Sequence, residues 1–324
     1  MKLERRTRKI RVNVQKWLTK ACFKHTLVRS GQERAGFRYC IMKCSDIIKQ
    51  LQKLAPEELA CSFDNVGLLL GRAEKSVSRV LIALEMSDEV VDLAVDRQAD
   101  LIITHHPLLF HPLKRINSDD FIGRWVLKLL RNDITYYAMH TNFDRAVNGM
   151  GTLAADRLGL IQQRMLADTV EYQDAEGATR TGGIGKIGSL PEAMTLDELC
   201  GKLSQSFELE GLRVFAPKGR RNQKLTEVAI VPGSGGEYVA AAAENGADVL
   251  ITADVSHHTG CDAVSQGMIV IDAGHYCLEY PFVEYIERYL SETVSAGVDL
   301  ITAEYCPPYY HYSTGGADDR DYMA

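Results

Sequence analysis

RVLIALEMSDEVVDLAVDRQADLIITHH, residues 79–106, decides the fold. It reads as an apolar strand, a loop, a helix of about ten residues and a second apolar strand ending in Thr104. That is a βαβ unit, and its wholly apolar strands suit a parallel sheet covered on both faces. At an offset of 148 residues, EVAIVPGSGGEYVAAAAENGADVLITAD (227–254) aligns with it without a gap. Val80 falls on Val228, Ala99 and Asp100 on Ala247 and Asp248, and Ile103 and Thr104 on Ile251 and Thr252. The likeness continues beyond a variable connection. DITYYAMHTNFD (133–144) and QGMIVIDAGHYCLE (266–279) each run an apolar strand into a histidine followed four residues later by a carboxylate. The expected fold is therefore a duplicated α/β architecture, two halves related by a pseudo-dyad with strand C-terminal ends converging. Ligand sites of open α/β sheets lie at such ends.

The rest of the chain sorts around these repeats. Residues 42–165 form the expected first half, 166–226 a central glycine-containing segment belonging to the second half, 227–300 the second half proper, and 301–324 a tail. Within the central segment, TRTGGIGKIGSL (179–190) superficially offers a phosphate loop, but Ile187 stands where Ser or Thr would be needed for a magnesium ion. A glycine-containing strand pair is the preferred reading. TLDELCGKLSQSFEL (195–209) is a helix capped by Thr195 with Glu198 three residues on. The loop VPGSGGE (231–237) joins a strand to a helix and is either an anion cradle or a tight turn. The end, YCPPYYHYSTGGADDRDYMA (305–324), reads as a docking tail or a disordered segment.

With 324 residues the chain has room for about two domains of ~150. Hydrophobic residues at 46% and charged residues at 25% exclude disorder throughout. No apolar run approaches the ~18 residues of a membrane span. Eight cysteines without a C-x-x-C pair argue against a zinc ribbon or disulfide framework, and point to a reducing, cytoplasmic setting. The net charge of −6 is uneven: residues 1–41 hold twelve Lys and Arg against Glu4 and Glu33, a net of +10, leaving −16 for the remainder. A core this acidic makes nucleic acid an unlikely partner. The basic extension lacks the serines of a transit peptide and the apolar core of a secretory signal. The expectation is that the functional protein begins near Met42, where MKCSDIIKQLQKLAPEEL opens a helix with Ser45 as its N-cap.

The chemistry concentrates in the histidines. Of nine, His105, His106, His140, His275 and, less clearly, His257 fall at strand ends or just after them. In LIITHHPLLFHP a strand delivers two adjacent imidazoles and Pro107 ends it. His275 and Glu279 share a face if Gly274 is the turn from strand to helix, because positions four apart align on a helix. HTNFD supplies the like pair His140 and Asp144. Three histidines and two carboxylates at these strand ends can coordinate two divalent ions with a bridging carboxylate or water. Mixed nitrogen and oxygen ligation without thiolate favours Zn, Fe, Mn, Co or Ni. Cys277 lies between His275 and Glu279 in sequence but faces elsewhere on a helix.

The ordered series DNVGLLLG, THHPLLF, HTNFD, TGGIGKIG, ITADVSHHTGCDA and DAGHYCLEYP resembles the NIF3-like family, the GTP cyclohydrolase 1 type 2 homologues, over about residues 42–290. The resemblance implies two interlinked α/β domains, a dinuclear metal centre between them and a toroidal homohexamer. It places the metal ligands at His105, His106, Asp144, His275 and Glu279. Leu278 departs from the family pattern, which has a small hydroxyl residue there. The long central insertion of some members is absent. His140 is assigned as a proton shuttle or as a residue supporting Asp144, with direct ligation the alternative. Asp64 and Asn65 line the site or form a plain Asx turn before Gly67. Asp254, at the position equivalent to His106, supports the ligands, and His257 and His258 sit at the rim. The implied activity is metal-dependent hydrolysis, opening of the guanine ring of GTP or cleavage of a phosphoester, on a small nucleotide or phosphoester substrate. The competing reading is a non-enzymatic metal-binding ring that serves as a scaffold or regulatory partner.

Overall fold

The computed structural model describes residues 42–294 and 297–309. The basic extension (1–41) and most of the tail, with the readings made on them, lie outside the described residues. The first stretch runs β1 (Met42–Lys43), α1 (Cys44–Leu54), β2 (Gly67–Leu70), β3 (Ser76–Val77), β4 (Arg79–Ala83), α2 (Asp88–Asp96) and β5 (Leu101–Thr104). It continues with α3 (Phe121–Arg131), β6 (Thr135–Ala138), α4 (Thr141–Arg145), α5 (Met150–Leu158), β7 (Ile161–Gln173), β8 (Thr179–Met194) and α6 (Leu196–Phe207). Then come β9 (Arg213–Phe215), β10 (Leu225–Ser234), α7 (Val239–Glu244), β11 (Val249–Ala253) and α8 (His257–Ser265). The last elements are β12 (Ile269–Asp272), α9 (His275–Glu279), α10 (Pro281–Thr293) and β13 (Asp299–Thr302).

Two large sheets result. One has the order β13-β4-β5-β6-β2, parallel except for β2; the other has the order β7-β8-β10-β11-β12-β9, with β10, β11 and β12 parallel. The stretches that match in sequence pair in the same register: Val80 lies opposite Leu101, and Val228 opposite Val249. Alternate strand residues face opposite ways, so each apolar strand feeds two cores. In the first sheet, Val80, Ile82, Leu101 and Ile103 pack with Ile47 and Leu51 of α1 and Phe282, Ile286 and Leu290 of α10. Leu81 and Ile102 pack with Val91 of α2 and Val126 and Leu129 of α3 on the other face. The second sheet is covered likewise. Val228, Ile230, Val249 and Ile251 meet α5 and α6, while Ala229, Leu250 and Val270 meet Ala242 of α7 and Ala263 of α8.

Local chemistry explains several boundaries. Ser87 caps α2 by accepting from Val90 N–H at 3.2 Å. Thr195 and Glu198 form the capping box of α6. GIGKIG lies within β8, paired antiparallel with β7, so the strand-pair reading holds. Three expectations need correction. Ser45 is not the N-cap of α1: the helix starts at Cys44, and the N–H groups of Cys44 and Ser45 are taken by the carbonyls of Lys75 and Ala73. Ser45 therefore lies inside the helix, whose N-cap is Lys43, with the Lys43 N–H donating to the Asp46 carboxylate at 3.0 Å. Next, β7 begins at Ile161, so the second sheet starts before residue 165. Finally, the chain returns to the first sheet at its end. Leu300 of β13 pairs with Val80 of β4, and a boundary at 300 therefore cuts a strand. No helix among the described residues is long and apolar enough to cross a membrane.

Candidate metal centre

The strand ends place the donors. Both His105 and His106 donate their backbone N–H to the Leu84 carbonyl at 3.0 Å, and Thr104 Oγ1 donates to the His106 carbonyl at 2.7 Å. This tight turn at the end of β5 keeps two consecutive imidazoles within one crevice, their ring centroids 5.1 Å apart. After β6, His140 occupies the N-cap position of α4 and Asp144 lies one turn on. After β12, Gly274 adopts φ +81°, a conformation open to glycine, and α9 begins at His275 with Glu279 one turn later. A Cβ on Gly274 would lie 2.5 Å from the Tyr309 hydroxyl, so a larger residue would also have to displace that ring.

Glu279 joins the two sheets. Its Oε2 lies 3.0 Å from His106 Nε2 and 2.9 Å from His275 Nε2, and its Oε1 lies 3.8 Å from His105 Nε2. His106 Nε2 and His275 Nε2 are 3.2 Å apart, and Asp144 Oδ1 is 3.6 Å from His105 Nε2. Gly233, in the loop after β10, makes room for this carboxylate: a Cβ there would sit 2.4 Å from Glu279 Oε1. Each imidazole is oriented from behind through its Nδ1. His105 Nδ1 contacts the Met139 carbonyl at 2.7 Å, His106 Nδ1 the Glu85 carboxylate at 3.3 Å, and His275 Nδ1 the Asp254 carboxylate at 2.7 Å. Such outer contacts fix the tautomer and leave Nε2 free for a ligand. Leu278, at the departing position, is fully buried in the second core.

His140 is held differently. Its Nδ1 lies 2.9 Å from Asp64 Oδ1, and Asp64 Oδ2 accepts Thr141 N–H at 3.0 Å as well as the Thr141 hydroxyl. Asn65 N–H donates to Asp64 Oδ1 at 2.8 Å, so the Asx turn and the site role coexist. Burial alone would raise the pKa of Asp64, but His140 and the Thr141 donors hold it well below the usual carboxylate range.

Whether these residues suit a metal can be tested on the donors themselves. His105 Nε2 is buried without a hydrogen-bond partner, and Glu279 Oε2 is buried with two imidazole nitrogens crowded at 2.9–3.0 Å, neither in good hydrogen-bond geometry. Buried polar atoms are rarely left this way. Two donors bound to one ion at about 2.1 Å lie about 3.0–3.4 Å apart, the spacing seen among His106, His275 and Glu279. Two donor groups satisfy the proximity expected of ligands, His105 with His106 and His140, and His106 with His275 and Glu279. Burial opposes a positive charge on His106, yet Glu279 and Glu85 push its pKa up to about 10. Burial likewise opposes charge on His275, but Glu279 and Asp254 bring it up to about 9. Burial raises Asp144, whereas His105, His106 and His275 hold Glu279 well below its ordinary value against the effect of burial. The carboxylates of the cluster thus favour positive charge on its imidazoles.

All six residues singled out in the sequence, His105, His106, His140, Asp144, His275 and Glu279, belong to this one cluster. Asp254 stands behind His275. His257 and His258 are exposed on α8, and neither belongs to the two donor groups. Cys277 points away, its thiol 2.8 Å from the Tyr305 hydroxyl. Glu85 and Thr141 were missed. Glu85 follows β4 and is an acidic residue at a strand's C-terminal end, which was the available signal. A cavity of ≈ 520 Å³ opens on the cluster, lined by His140, Asp144, His275 and Glu279 together with Phe63 and Tyr238.

The fold and site define a doubly covered α/β protein with a buried imidazole–carboxylate cluster at its strand ends. Residues 42–307 match the Duf34/NIF3 (NGG1p interacting factor 3) family, and the chain belongs to it. A Clostridium acetobutylicum relative named GTP cyclohydrolase 1 type 2 homolog is 34% identical over 249 residues, 77% of this chain and 90% of the relative. One of the same name from Clostridium perfringens is 33% identical over 263 residues, 81% and 97% of the two chains. The crystal structure of a Bacillus cereus protein related to NIF3 aligns with a TM-score of 0.74 at 26% identity, covering 84% of this chain and all of that one.

Proposed function

We propose that this chain is a dinuclear-metal-dependent hydrolase. His105, His106, Asp144, His275 and Glu279 would hold two divalent ions drawn from Zn, Fe, Mn, Co or Ni. The observation that carries the reading is the buried His105 Nε2, which has no hydrogen-bond partner, beside a Glu279 carboxylate crowded by imidazole nitrogens from both sheets. Such ions, when bound, acidify water and polarise the bond it attacks. Glu279 serves both donor groups with separate oxygens, Oε1 toward His105 and Oε2 toward His106 and His275. Asp64 keeps the His140 proton on Nδ1, leaving Nε2 to take a proton from the reacting group and return it. The names of the clostridial relatives direct this chemistry to a nucleotide ring, with a phosphoester as the alternative substrate.

A cavity of ≈ 520 Å³ beside the donors supports turnover over storage, because a purely structural metal site closes its ligand shell. The matched register of the two parallel units supports two halves related by a pseudo-dyad. The reading extends to a toroidal homohexamer in the cytoplasm. The test is metal analysis of anaerobically purified protein, then a nucleotide and phosphoester panel with each metal restored. Two metal equivalents per chain with hydrolysis of a panel member is the expected result. Metal-replete protein that turns over nothing would replace the enzyme with a metal-binding ring scaffold.

A further inference from the structure

Two aromatic rings stand close to the donor cluster, Phe63 on the wall of its cavity and Phe110 beside His140. Phe63 is 67% exposed and lines the cavity with His140 and Asp144. Its ring centroid is 6.5 Å from that of Phe110 with the planes at 58°, and the Phe110 ring is 6.2 Å from that of His140. Leu113 and Ile116, both exposed, extend this apolar surface along an adjoining groove of ≈ 490 Å³, which Phe63 also lines. The loops carrying the two rings are tied together by Asn65 Nδ2 donating to the Leu109 carbonyl. Single exposed apolar side chains need no explanation, but a contiguous group at the mouth of a polar cavity marks a binding surface.

The second observation is electrostatic. Among the described residues no Lys or Arg lines the ≈ 520 Å³ cavity, and the charged groups at its rim are the exposed carboxylates Asp168 and Glu237. Arg145, which lies beside Asp144 in sequence, donates instead to the backbone carbonyls of Leu59 and Asp168. With the ring edge turned to the ions, a polyphosphate tail lies out of their reach at the rim, where its binding would need Arg, Lys or a helix N-terminus behind a glycine loop. The glycine loop at this cavity, 231–237, leads only into a single 3₁₀ turn and the six-residue α7. An aromatic wall before a donor cluster, with acidic groups at the rim, suits a flat ring with a polar edge and disfavours a long anionic tail.

Resting on the reading proposed above, we infer that the substrate is an uncharged planar nitrogen heterocycle, a free base or nucleoside, stacked on Phe63 and Phe110 with its polar edge toward the donor cluster. Phe63 and Phe110 are then specificity-determining residues. The test is calorimetry of the metal-loaded full chain with guanosine, adenosine, GTP and inorganic triphosphate. At least one nucleoside binds, guanosine binds no more weakly than GTP, and triphosphate does not displace it. Phe63→Ala and Phe110→Ala each weaken nucleoside binding by roughly 5- to 100-fold, the range for loss of one aromatic stacking partner, while metal content is unchanged. Phe63→Trp restores affinity. Binding of neither nucleoside, binding of GTP more than about tenfold tighter than guanosine, or wild-type affinity in both alanine variants overturns the inference. Failure of the metal reading is seen separately. A chain that takes up no metal, yet binds a nucleoside in a Phe63-dependent way, keeps the aromatic wall and loses the hydrolase.

Discussion

Loading the donor cluster with a divalent ion should expel protons, and their number follows from the site. Burial disfavours charge on His106 and His275, but the carboxylates of Glu279, Glu85 and Asp254 bring their pKa values to about 10 and about 9. In the metal-free chain at neutral pH both rings therefore favour the protonated form. Their Nε2 atoms are only 3.2 Å apart, so the pair shares its positive charge and titrates as a unit. A metal ligand must be neutral imidazole, and each proton displaced makes affinity pH-dependent. We expect about one to two protons released per chain at pH 7, with metal affinity rising ~10- to 100-fold per pH unit. The rise should flatten above about pH 10, where both rings are already neutral. Each tenfold step corresponds to about 1.4 kcal/mol. Titrating Mn²⁺ or Zn²⁺ into metal-stripped protein, in buffers of different ionisation enthalpy at the same pH, counts the protons directly. Binding without proton release and with affinity independent of pH would refute the assignment of these two rings as ligands.

The same groups set the stability of the metal-free chain. Because both pKa values are raised above the unfolded ~6.5, their contribution is complete below that value and is lost as pH climbs through about 9 to 10. The slope reaches about 1.4 kcal/mol per pH unit per group. Thermal midpoints of stripped protein should fall from pH 7 to pH 9, and a rise would count against the raised values. Glu279→Gln and His106→Ala should each lower bound metal with an unchanged circular dichroism spectrum, since neither side chain is part of a hydrophobic core; two metal equivalents retained in both variants would reject the ligand set. Asp64→Asn should reduce turnover roughly 10- to 100-fold at unchanged metal content. A parallel loss of metal would instead make His140 a ligand. Phe282→Ala, which removes a fully buried ring 5.1 Å from Phe143 and 5.3 Å from His105, should cost about 3–5 kcal/mol in denaturant melts.

How much of this was legible in one dimension depends on the range of the interactions involved. The apolar runs at 80–84, 101–103 and 249–251 specify strands through their own composition, and the helices between them follow from spacing and caps that act over three or four residues. The pairs His140 with Asp144 and His275 with Glu279 were visible for the same reason, since one helical turn sets their separation. Even local chemistry could mislead where a distant backbone intervened: Ser45 has a capping side chain, but the carbonyls of Lys75 and Ala73 hold the N–H groups of Cys44 and Ser45, and the helix begins at Cys44, too early for Ser45 to cap it. Only the tertiary structure brought His275 to within 3.2 Å of His106, 169 residues away, and set Glu85 behind His106 and Asp64 behind His140. The same holds for β13 returning to β4 and for Phe63 meeting Phe110. Those contacts depend on which sheet each strand joins and how the helices pack over it. That choice is made by the burial of whole apolar faces, to which no short stretch of sequence has access.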